Sequence, residues 1–304
     1  MNHIQKAGKG GDKGMLEELK TFIQVVKYRN FTKAAKKVNL SQPTVSLHIK
    51  RLESYFDTTL ITRSSKSKEV LITKQGELLY ERGQSLIGEI ECLKEDLLSI
   101  SGERKKKISV GASKTIGDYY LPPLIGAFSE AYPHIQLEVI IENTANICRM
   151  MKEGQIDIGL IEGIEPYYKF EREYFCQDQM VIVVSNKSKL ASKPITLDDL
   201  NNQIWISREE GSGTKEYLEL FLKTHKIKPR NTIIFNSNYA VKEAVKNGLG
   251  ITIISECVVR HAALDHELTI LPLDIEPKRN YSYILPKDKE IDEDIKAFLN
   301  ILKK

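Results

Sequence analysis

The chain has 304 residues, of which 41% are hydrophobic and 28% charged, so it is long enough for about two domains with separate cores. It contains neither a run of about 18 apolar residues nor an apolar block near its start, which argues against a membrane span and a secretion signal and predicts a cytoplasmic protein. The net charge is +4, but residues 1–106 hold 20 Lys/Arg against 13 Asp/Glu, whereas residues 107–304 hold 25 against 28. This asymmetry favours a polyanionic partner for the N-terminal part alone.

The first segments predict a helix-turn-helix. Residues 1–14 are rich in Gly and Lys and are expected to form a disordered tail. Helical apolar spacing over 16–28 predicts a first helix, and Thr32 is expected to cap a short second one. Ser41 is expected to cap a third helix, whose first turn holds Pro43 where a missing N–H costs nothing.

The third helix has two contrasting faces. Val45, Ile49, Leu52 and Phe56 share one face, which is expected to pack against the other helices. The opposite face carries small, polar and basic groups, suited to hydrogen bonds with base edges and phosphates of duplex DNA. The residues predicted to contact DNA from this helix and its cap are Ser41, Gln42, Pro43, Thr44, Ser46, Leu47, Lys50 and Arg51.

Three further residues complete the predicted DNA surface. His48 lies towards the packed edge of the third helix, and the sequence leaves open whether it contacts DNA or packs between helices. Two β-prone runs, 59–63 and 69–73, predict a hairpin wing, so that a winged helix-turn-helix fills residues 15–73. Thr32 at the second helix and Arg63 in the wing fall where phosphate contacts are expected.

A long linker helix is predicted next, within residues 74–104. Apolar side chains repeat every seven residues along it, with others at the intervening positions, and only Gly83 interrupts the series. Such a repeat favours left-handed pairing of two helices and predicts a homodimer, the alternative being that the helix packs on its own domain. The repeat consists of Leu79, Leu86, Leu93 and Ile100, with Ile90 and Leu97 between them.

Residues 105–304 alternate β-prone and helical segments, which predicts parallel sheets in an α/β domain of two lobes. The first lobe is assigned to about 105–178 and 274–304, and the second to about 179–273. The tail from "LTILPL" (268–273) onwards, with "YSYIL" and a closing helix, is expected to return to the first lobe. A cleft between two such lobes is a usual place for a small ligand.

Two loops of this domain suit an anion. "ASKTIG" (112–117) and "REEGSGT" (208–214) each precede a predicted helix, where hydroxyls and backbone N–H groups favour negative charge, although plain helix caps remain the alternative. The second loop lacks the spacing of a nucleotide-binding P-loop. The residues predicted to contact an anionic effector from these loops are Ser113, Lys114, Thr115, Gly211, Ser212 and Thr214.

Catalytic and metal-binding arrangements are not indicated. Cys92, Cys148, Cys176 and Cys257 form no Cys-x-x-Cys pair, the six histidines show no metal-ligand spacing, and no catalytic residues or cofactor can be assigned. We therefore do not predict an enzyme. A regulator that senses oxidants through a cysteine and an enzyme with an appended DNA-binding domain remain the alternatives.

The stretch "FTKAAKKVNLSQPTVSLHIKRLESYFDTTLITR" closely resembles the winged helix-turn-helix of LysR-type transcriptional regulators, and the order of later segments is similar over nearly the whole chain. The resemblance implies DNA binding by the third helix, a dimerising linker helix and an effector domain that resembles periplasmic substrate-binding proteins. It also implies a dimer or tetramer on a promoter inverted repeat, with RNA polymerase as a further partner. Leu47 stands where relatives often carry Arg, so it offers a thymine methyl an apolar contact instead of a guanine contact.

The same resemblance places effector contacts at the two loops and near Thr144. Both loops look similar to those of the branch that regulates sulfur assimilation and carbon fixation. This similarity suggests a small oxyanion or carboxylate as effector, such as sulfite, sulfate or a metabolic acid.

Overall fold

The computed structural model describes residues 14–63, 70–100, 106–163, 170–192, 194–272, 278–287 and 291–303. The predicted tail up to residue 13, the loop joining the wing strands and most of the segment after the linker helix lie outside these residues. The chain divides into two compact units, Met1–Leu97 and Leu98–Lys304. Within the described residues, no helix is both long enough and apolar enough to cross a bilayer.

The first unit is a three-helix core with a small hairpin. Phe22 of the first helix, Ala34 of the second and Val45 of the third are completely buried in one apolar cluster, and the small Ala34 allows the helices to cross closely. The two strands pair antiparallel. The elements are α1 (Met15–Tyr28), α2 (Phe31–Lys37), α3 (Gln42–Tyr55), β1 (Ile61–Arg63), β2 (Val70–Ile72) and α4 (Lys74–Ile100).

Two expectations for this unit were wrong. Asn30, not Thr32, caps α2: its side-chain oxygen accepts a hydrogen bond from the Lys33 amide at 2.9 Å, and Thr32 lies exposed in the first turn. Phe56 does not continue the buried face of α3. Because α3 ends at Tyr55 and Phe56 is its C-cap, the Phe56 side chain leaves the helical face and is 43% exposed.

The linker helix α4 uses its apolar positions in two ways. Leu79 packs against the core of the first unit, and Gly83 lies against Leu19, so these positions are not part of a free seam. The next apolar positions form an exposed stripe, which we call the α4 stripe. It consists of Leu86, Ile90, Leu93 and Leu97, which are 51%, 45%, 57% and 60% exposed.

The first lobe of the second unit is built on a mixed sheet. β3 lies between β4 and β5, and all three are parallel, whereas β11 pairs antiparallel with both β5 and β6. A π-helical turn over Ile116–Tyr120 leads from β3 into α5. The elements are β3 (Lys106–Ser113), α5 (Leu121–Ala131), β4 (Ile135–Glu142), α6 (Thr144–Lys152), β5 (Ile158–Glu162), β6 (Glu171–Ser185), β11 (Lys278–Leu285) and α10 (Glu293–Leu302).

The second lobe shares β6 with the first. The later half of β6 pairs antiparallel with β9 and β10, while β7 and β8 pair parallel and a single bridge joins Trp205 to Ile251. Apolar clusters lie on both sides of these strands. The elements are β7 (Ile204–Arg208), α7 (Gly213–Thr224), β8 (Asn231–Phe235), α8 (Asn238–Lys246), β9 (Thr252–Ser255), α9 (Glu256–Leu264) and β10 (Leu268–Ile270).

The sheets differ from the expected parallel arrangement because β6 is one strand of 15 residues that passes through both lobes and pairs antiparallel throughout. The expectation that the segment 268–270 returns to the first lobe was wrong, because as β10 it pairs with β6 in the second lobe, in agreement with the assigned bounds of about 179–273. β11 and α10 do lie in the first lobe, where Phe298 joins the cluster around β3.

Candidate functional site

The side of α3 that is predicted to face DNA is open to solvent. Ser41, Gln42, Pro43, Leu47 and Lys50 are exposed, and Thr44 and Ser46 are partly so. Ser41 caps the helix, since its hydroxyl accepts a hydrogen bond from the Thr44 amide at 3.2 Å. The predicted surface is thus a capped helix start with small side chains, which can approach a groove closely. The side chain of Arg63, also predicted to bind phosphate, lies outside what the structure describes.

Two residues at the edge of this surface contact α1. Arg51 is exposed but forms an ion pair of 3.3 Å with the largely buried Glu18, so only part of its guanidinium is available to a phosphate. His48 Nδ1 lies 2.9 Å from the Thr21 hydroxyl, which itself lies 2.7 Å from the Glu17 carbonyl. Because Thr21 donates to that carbonyl, the contact requires His48 Nδ1 to be the donor. His48 therefore packs between helices through one ring nitrogen.

In the second unit, the predicted effector loops meet a buried carboxylate. Ser113 and Thr115 are both about 1% exposed, and both hydroxyls donate to Glu162, the latter at 3.1 Å. The Thr144 hydroxyl donates to the backbone carbonyl of Glu162 at 2.9 Å. Three of the predicted residues therefore converge on one acidic residue at the end of β5 that the sequence did not single out.

A buried arginine from β11 closes the other side of this group. Arg279 donates to Asp178 from Nε at 2.6 Å and to the hydroxyls of Thr115 and Thr214 at 3.4 and 3.1 Å. Its Nη1 also lies 3.9 Å from Glu162. Thr115 and Thr214 belong to different lobes, so one guanidinium connects the two predicted loops.

A second buried arginine lies at the start of the other loop. Arg208 donates to Glu209 at 2.8 and 3.0 Å and also to the Asn238 side-chain oxygen. Asn238 in turn donates to Thr115 at 3.2 Å, which extends the network from one lobe to the other. Lys114 lies 3.7 Å from Glu209 and donates to the Asn236 carbonyl. This interlobe network contains three carboxylates balanced by three cations.

Burial dominates the ionisation of the central carboxyl. It raises the pKa of Glu162 above its ordinary value, against the lowering effect of Arg279, because the charged form is desolvated. The pKa of Glu209 is lowered: burial alone would raise it, but hydrogen bonds and charge from Arg208 outweigh that. The pKa of Arg279 is raised by Glu162 and Asp178 despite its burial. Glu162 thus protonates more readily than an ordinary glutamate, and Glu209 less readily.

The two lobes touch directly beside this network. The Ala145 amide donates to the Gly211 carbonyl at 3.0 Å, joining α6 of the first lobe to the loop before α7. Gly213 is required at its position because a Cβ there would lie 2.3 Å from the Glu162 carbonyl oxygen. The loop of small residues therefore serves for close approach of the lobes as well as for any ligand.

Comparison with protein families identifies both units. Residues 16–77 match the family described as "Bacterial regulatory helix-turn-helix protein, lysR family", and residues 101–304 match "LysR substrate binding domain". The chain belongs to the LysR family of transcriptional regulators. It is a DNA-binding regulator with an effector-binding domain, as the sequence predicted.

Individual relatives of this LysR-family regulator cover most of its length. The HTH-type transcriptional regulator CysL of Bacillus subtilis (strain 168) is 40% identical over 287 residues, which are 94% of this chain and 95% of CysL. The regulatory domain of Synechocystis PCC6803 CcmR, solved in complex with 2-PG, is 26% identical, with a TM-score of 0.61 over 65% of this chain and 96% of that domain. Full-length CbnR, solved with its target DNA, has a TM-score of 0.68 over 95% of this chain and 98% of CbnR, and at 19% identity shows the shared fold.

Two of the four cysteines of this LysR-family regulator, Cys148 and Cys257, do not fit a redox role. Cys148 is completely buried, and the side chain of Cys92 lies outside the described residues. Burial raises the pKa of the Cys257 thiol, whose sulfur lies 3.0 Å from the Ser255 hydroxyl. A raised pKa lowers the fraction of reactive thiolate, which is the opposite of what an oxidant sensor needs.

Other features of this regulator lie apart from the interlobe network. A cavity of about 400 Å³ opens on the second lobe, lined by Lys187, Arg230 and Lys246 among others, and contains none of the predicted effector residues. Among the residues that the structure describes, no three His, Cys, Asp or Glu side chains are placed to hold a metal ion.

Proposed function

We propose that this LysR-family regulator binds a small oxyanion or carboxylate between the lobes of its second unit and changes its action on DNA in response. One observation carries the proposal: the hydroxyls of Ser113 and Thr115 donate to the carboxylate of Glu162 in a site fully removed from water. This pair of donors therefore suits the charge and size of an oxyanion. Arg279 and Arg208 supply the positive charge that such a ligand needs.

Ligand binding at this site requires an exchange of partners. The charges of the network already balance, so an incoming anion takes hydrogen bonds now accepted by Glu162 or Glu209. Glu162 is the partner that yields most easily because its desolvated carboxylate is destabilised by burial. The CcmR domain, 26% identical, was solved with the small molecule 2-PG, which supports a small-molecule effector here.

The proposal extends to assembly and location. The α4 stripe is apolar, exposed and spaced for a left-handed helix pair, so we assign it to the interface of a homodimer. Two such dimers can associate into a tetramer. A two-fold dimer presents two α3 helices and therefore reads an inverted repeat. Action at promoters places the protein in the cytoplasm with RNA polymerase as a further partner. Its role is regulatory and not enzymatic.

Calorimetry with sulfate, sulfite, phosphate and small carboxylates tests the effector site. Thr115→Val removes a hydroxyl of the network, and Ser212→Ala removes the buried hydroxyl that precedes α7. Each should weaken anion binding by about 1.5–3 kcal/mol, the usual value for a hydrogen bond to a charged partner. Thr232→Val, which removes an exposed hydroxyl on β8, is the control and should bind like the wild type. Wild-type affinity in both site variants would place the effector elsewhere.

A further inference from the structure

The acidic residue Glu53 connects two elements of the first unit. Glu53 lies in the last turn of α3, and its Oε1 accepts hydrogen bonds from the backbone amides of Leu60 at 2.9 Å and Ile61 at 3.2 Å. Leu60 is 1% exposed, and Ile61 begins β1 of the wing. One carboxylate oxygen thus joins the end of the DNA-facing helix to the first strand of the wing.

The same peptide of the wing is held from its other side. The Leu60 carbonyl accepts hydrogen bonds from the amide and the hydroxyl of Thr73, both at 3.1 Å. Gly76 fits beneath it because a Cβ at that position would lie 2.3 Å from the Leu60 oxygen. Leu60 is therefore held through its N–H by α3 and through its C=O by the segment that begins α4.

The hairpin itself cannot fix its own orientation. β1 and β2 have three residues each and pair only with one another, and a two-stranded hairpin of this size is marginally stable in isolation. Its position relative to α3 therefore depends on contacts with the rest of the first unit, which are the burial of Leu60 and Val70 in the apolar core and the hydrogen bonds at the base of the hairpin. Within the described residues, Glu53 provides the polar link from α3 to that base.

We infer that Glu53 is a positioning residue for DNA binding. Without touching DNA itself, its carboxylate sets the place of the wing relative to α3, so that both elements engage one duplex together. The amides of Leu60 and Ile61 precede Arg63 by only three and two residues, so a shift there moves the whole strand. Loss of the carboxylate frees the strand, and the contacts that the wing makes with the duplex are lost.

A role of Glu53 through its charge and a role in positioning the wing predict opposite effects of its removal on DNA affinity. Removing a carboxylate near DNA reduces repulsion and should tighten binding, since affinity is dominated by phosphate charges. Removing Glu53 should instead weaken binding if the residue positions the wing. Glu77, an exposed carboxylate in the first turn of α4, provides the matched control in the same unit.

The test uses the full chain and a duplex selected by the wild-type protein from a randomised library, measured well below the melting temperature of every variant. Glu53→Ala should bind about ten-fold or more weakly and lose part of the hydroxyl-radical footprint, that of the wing, while the part made by α3 remains. Glu77→Ala should bind at least as tightly as the wild type. Glu53→Gln keeps an acceptor oxygen without the charge, and such a bond is weaker, so its affinity should lie between those of Glu53→Ala and Glu77→Gln.

Binding by Glu53→Ala as tight as that of Glu77→Ala would overturn the inference, as would equal losses in Glu53→Ala and Glu53→Gln. If Glu53→Ala does not fold, hydrogen exchange of the Leu60 and Ile61 amides in Glu53→Gln decides. Faster exchange together with weaker binding than Glu77→Gln supports positioning. Either change without the other contradicts it.

Discussion

At the scale of single residues, Glu162 shows how this protein holds charge in its interior. The carboxyl is 2% exposed, accepts hydrogen bonds from Ser113 and Thr115, and lies 3.9 Å from Arg279. Asp178, the closer partner of Arg279, adds a second negative charge to the same guanidinium. A buried carboxylate that shares its counter-ion in this way costs free energy when ionised.

This cost predicts a pH-dependent stability. Because the folded pKa of Glu162 is raised above its unfolded value, its contribution to stability is complete below the unfolded pKa and is lost as pH rises through the folded pKa. Glu162→Gln retains the acceptor oxygen and cannot ionise. The melting temperature of Glu162→Gln minus that of the wild type should therefore increase as pH rises from about 4.3, the ordinary Glu pKa, to neutrality.

Calorimetric scans of both proteins across this pH range measure the difference. Glu130→Gln, at an exposed carboxylate of α5 in the same lobe, is the control and should follow the wild type. A difference between the wild type and Glu162→Gln that stays constant with pH would show that Glu162 has the same pKa in both states.

At the scale of elements, the periodicity of the sequence predicted those helices and strands that are determined by local patterns. The helix-turn-helix was predictable because α3 alternates a buried face, with Val45, Ile49 and Leu52, and an exposed one. The cap of α2 was misplaced because Asn30 and Thr32 are both good caps and spacing alone does not distinguish them. The pairing of β10 with β6 was not predicted, because strand partners that lie far apart in sequence leave no local pattern.

The candidate effector site was predictable only in part, because local patterns reveal some of its residues and not others. Its hydroxyls lie in loops at helix starts, which a sequence reveals. Apart from Lys114 and Glu209, its charged members lie in strands: Glu162, Asp178, Arg208 and Arg279 come from four strands and meet only because the sheets bring those strands together. Each of them, taken alone in the sequence, is an ordinary charged residue.

The α4 stripe carries the prediction that belongs to this scale. Leu93 is 57% exposed at the middle of the stripe, so Leu93→Asp introduces a charge that would have to be buried in a helix pair. We expect this variant to sediment as a monomer and to bind an inverted repeat poorly. Lys94→Asp, on the neighbouring exposed position, should remain dimeric. A dimer that survives Leu93→Asp would place the interface on the second unit instead.

At the scale of the whole molecule, the proposed effector site lies where the two lobes of the second unit meet. The lobes share the continuous strand β6 and meet at Ala145 and Gly211, next to the network that holds Glu162. The anion that we propose as effector would replace Glu162 as hydrogen-bond acceptor and shift contacts between the lobes, because Asn238 and Arg279 bond across them. The site and the lobe contacts therefore cannot change independently.

A final prediction concerns the geometry of the bound DNA rather than the affinity of the protein for it. An effector shifts the protein between two arrangements of its lobes only as far as its affinities for the two arrangements differ. Anion binding should therefore alter the bend or spacing of the DNA footprint and need not tighten DNA binding. Footprints of the full chain on a selected inverted repeat, with and without a saturating anion, measure this change. Thr115→Val should retain the anion-free footprint and lose the anion-dependent change, because Thr115 donates to Glu162 at the junction of the lobes. Thr232→Val should retain both, because Thr232 is exposed on β8. An anion-dependent change that persists in Thr115→Val would separate the response from this network.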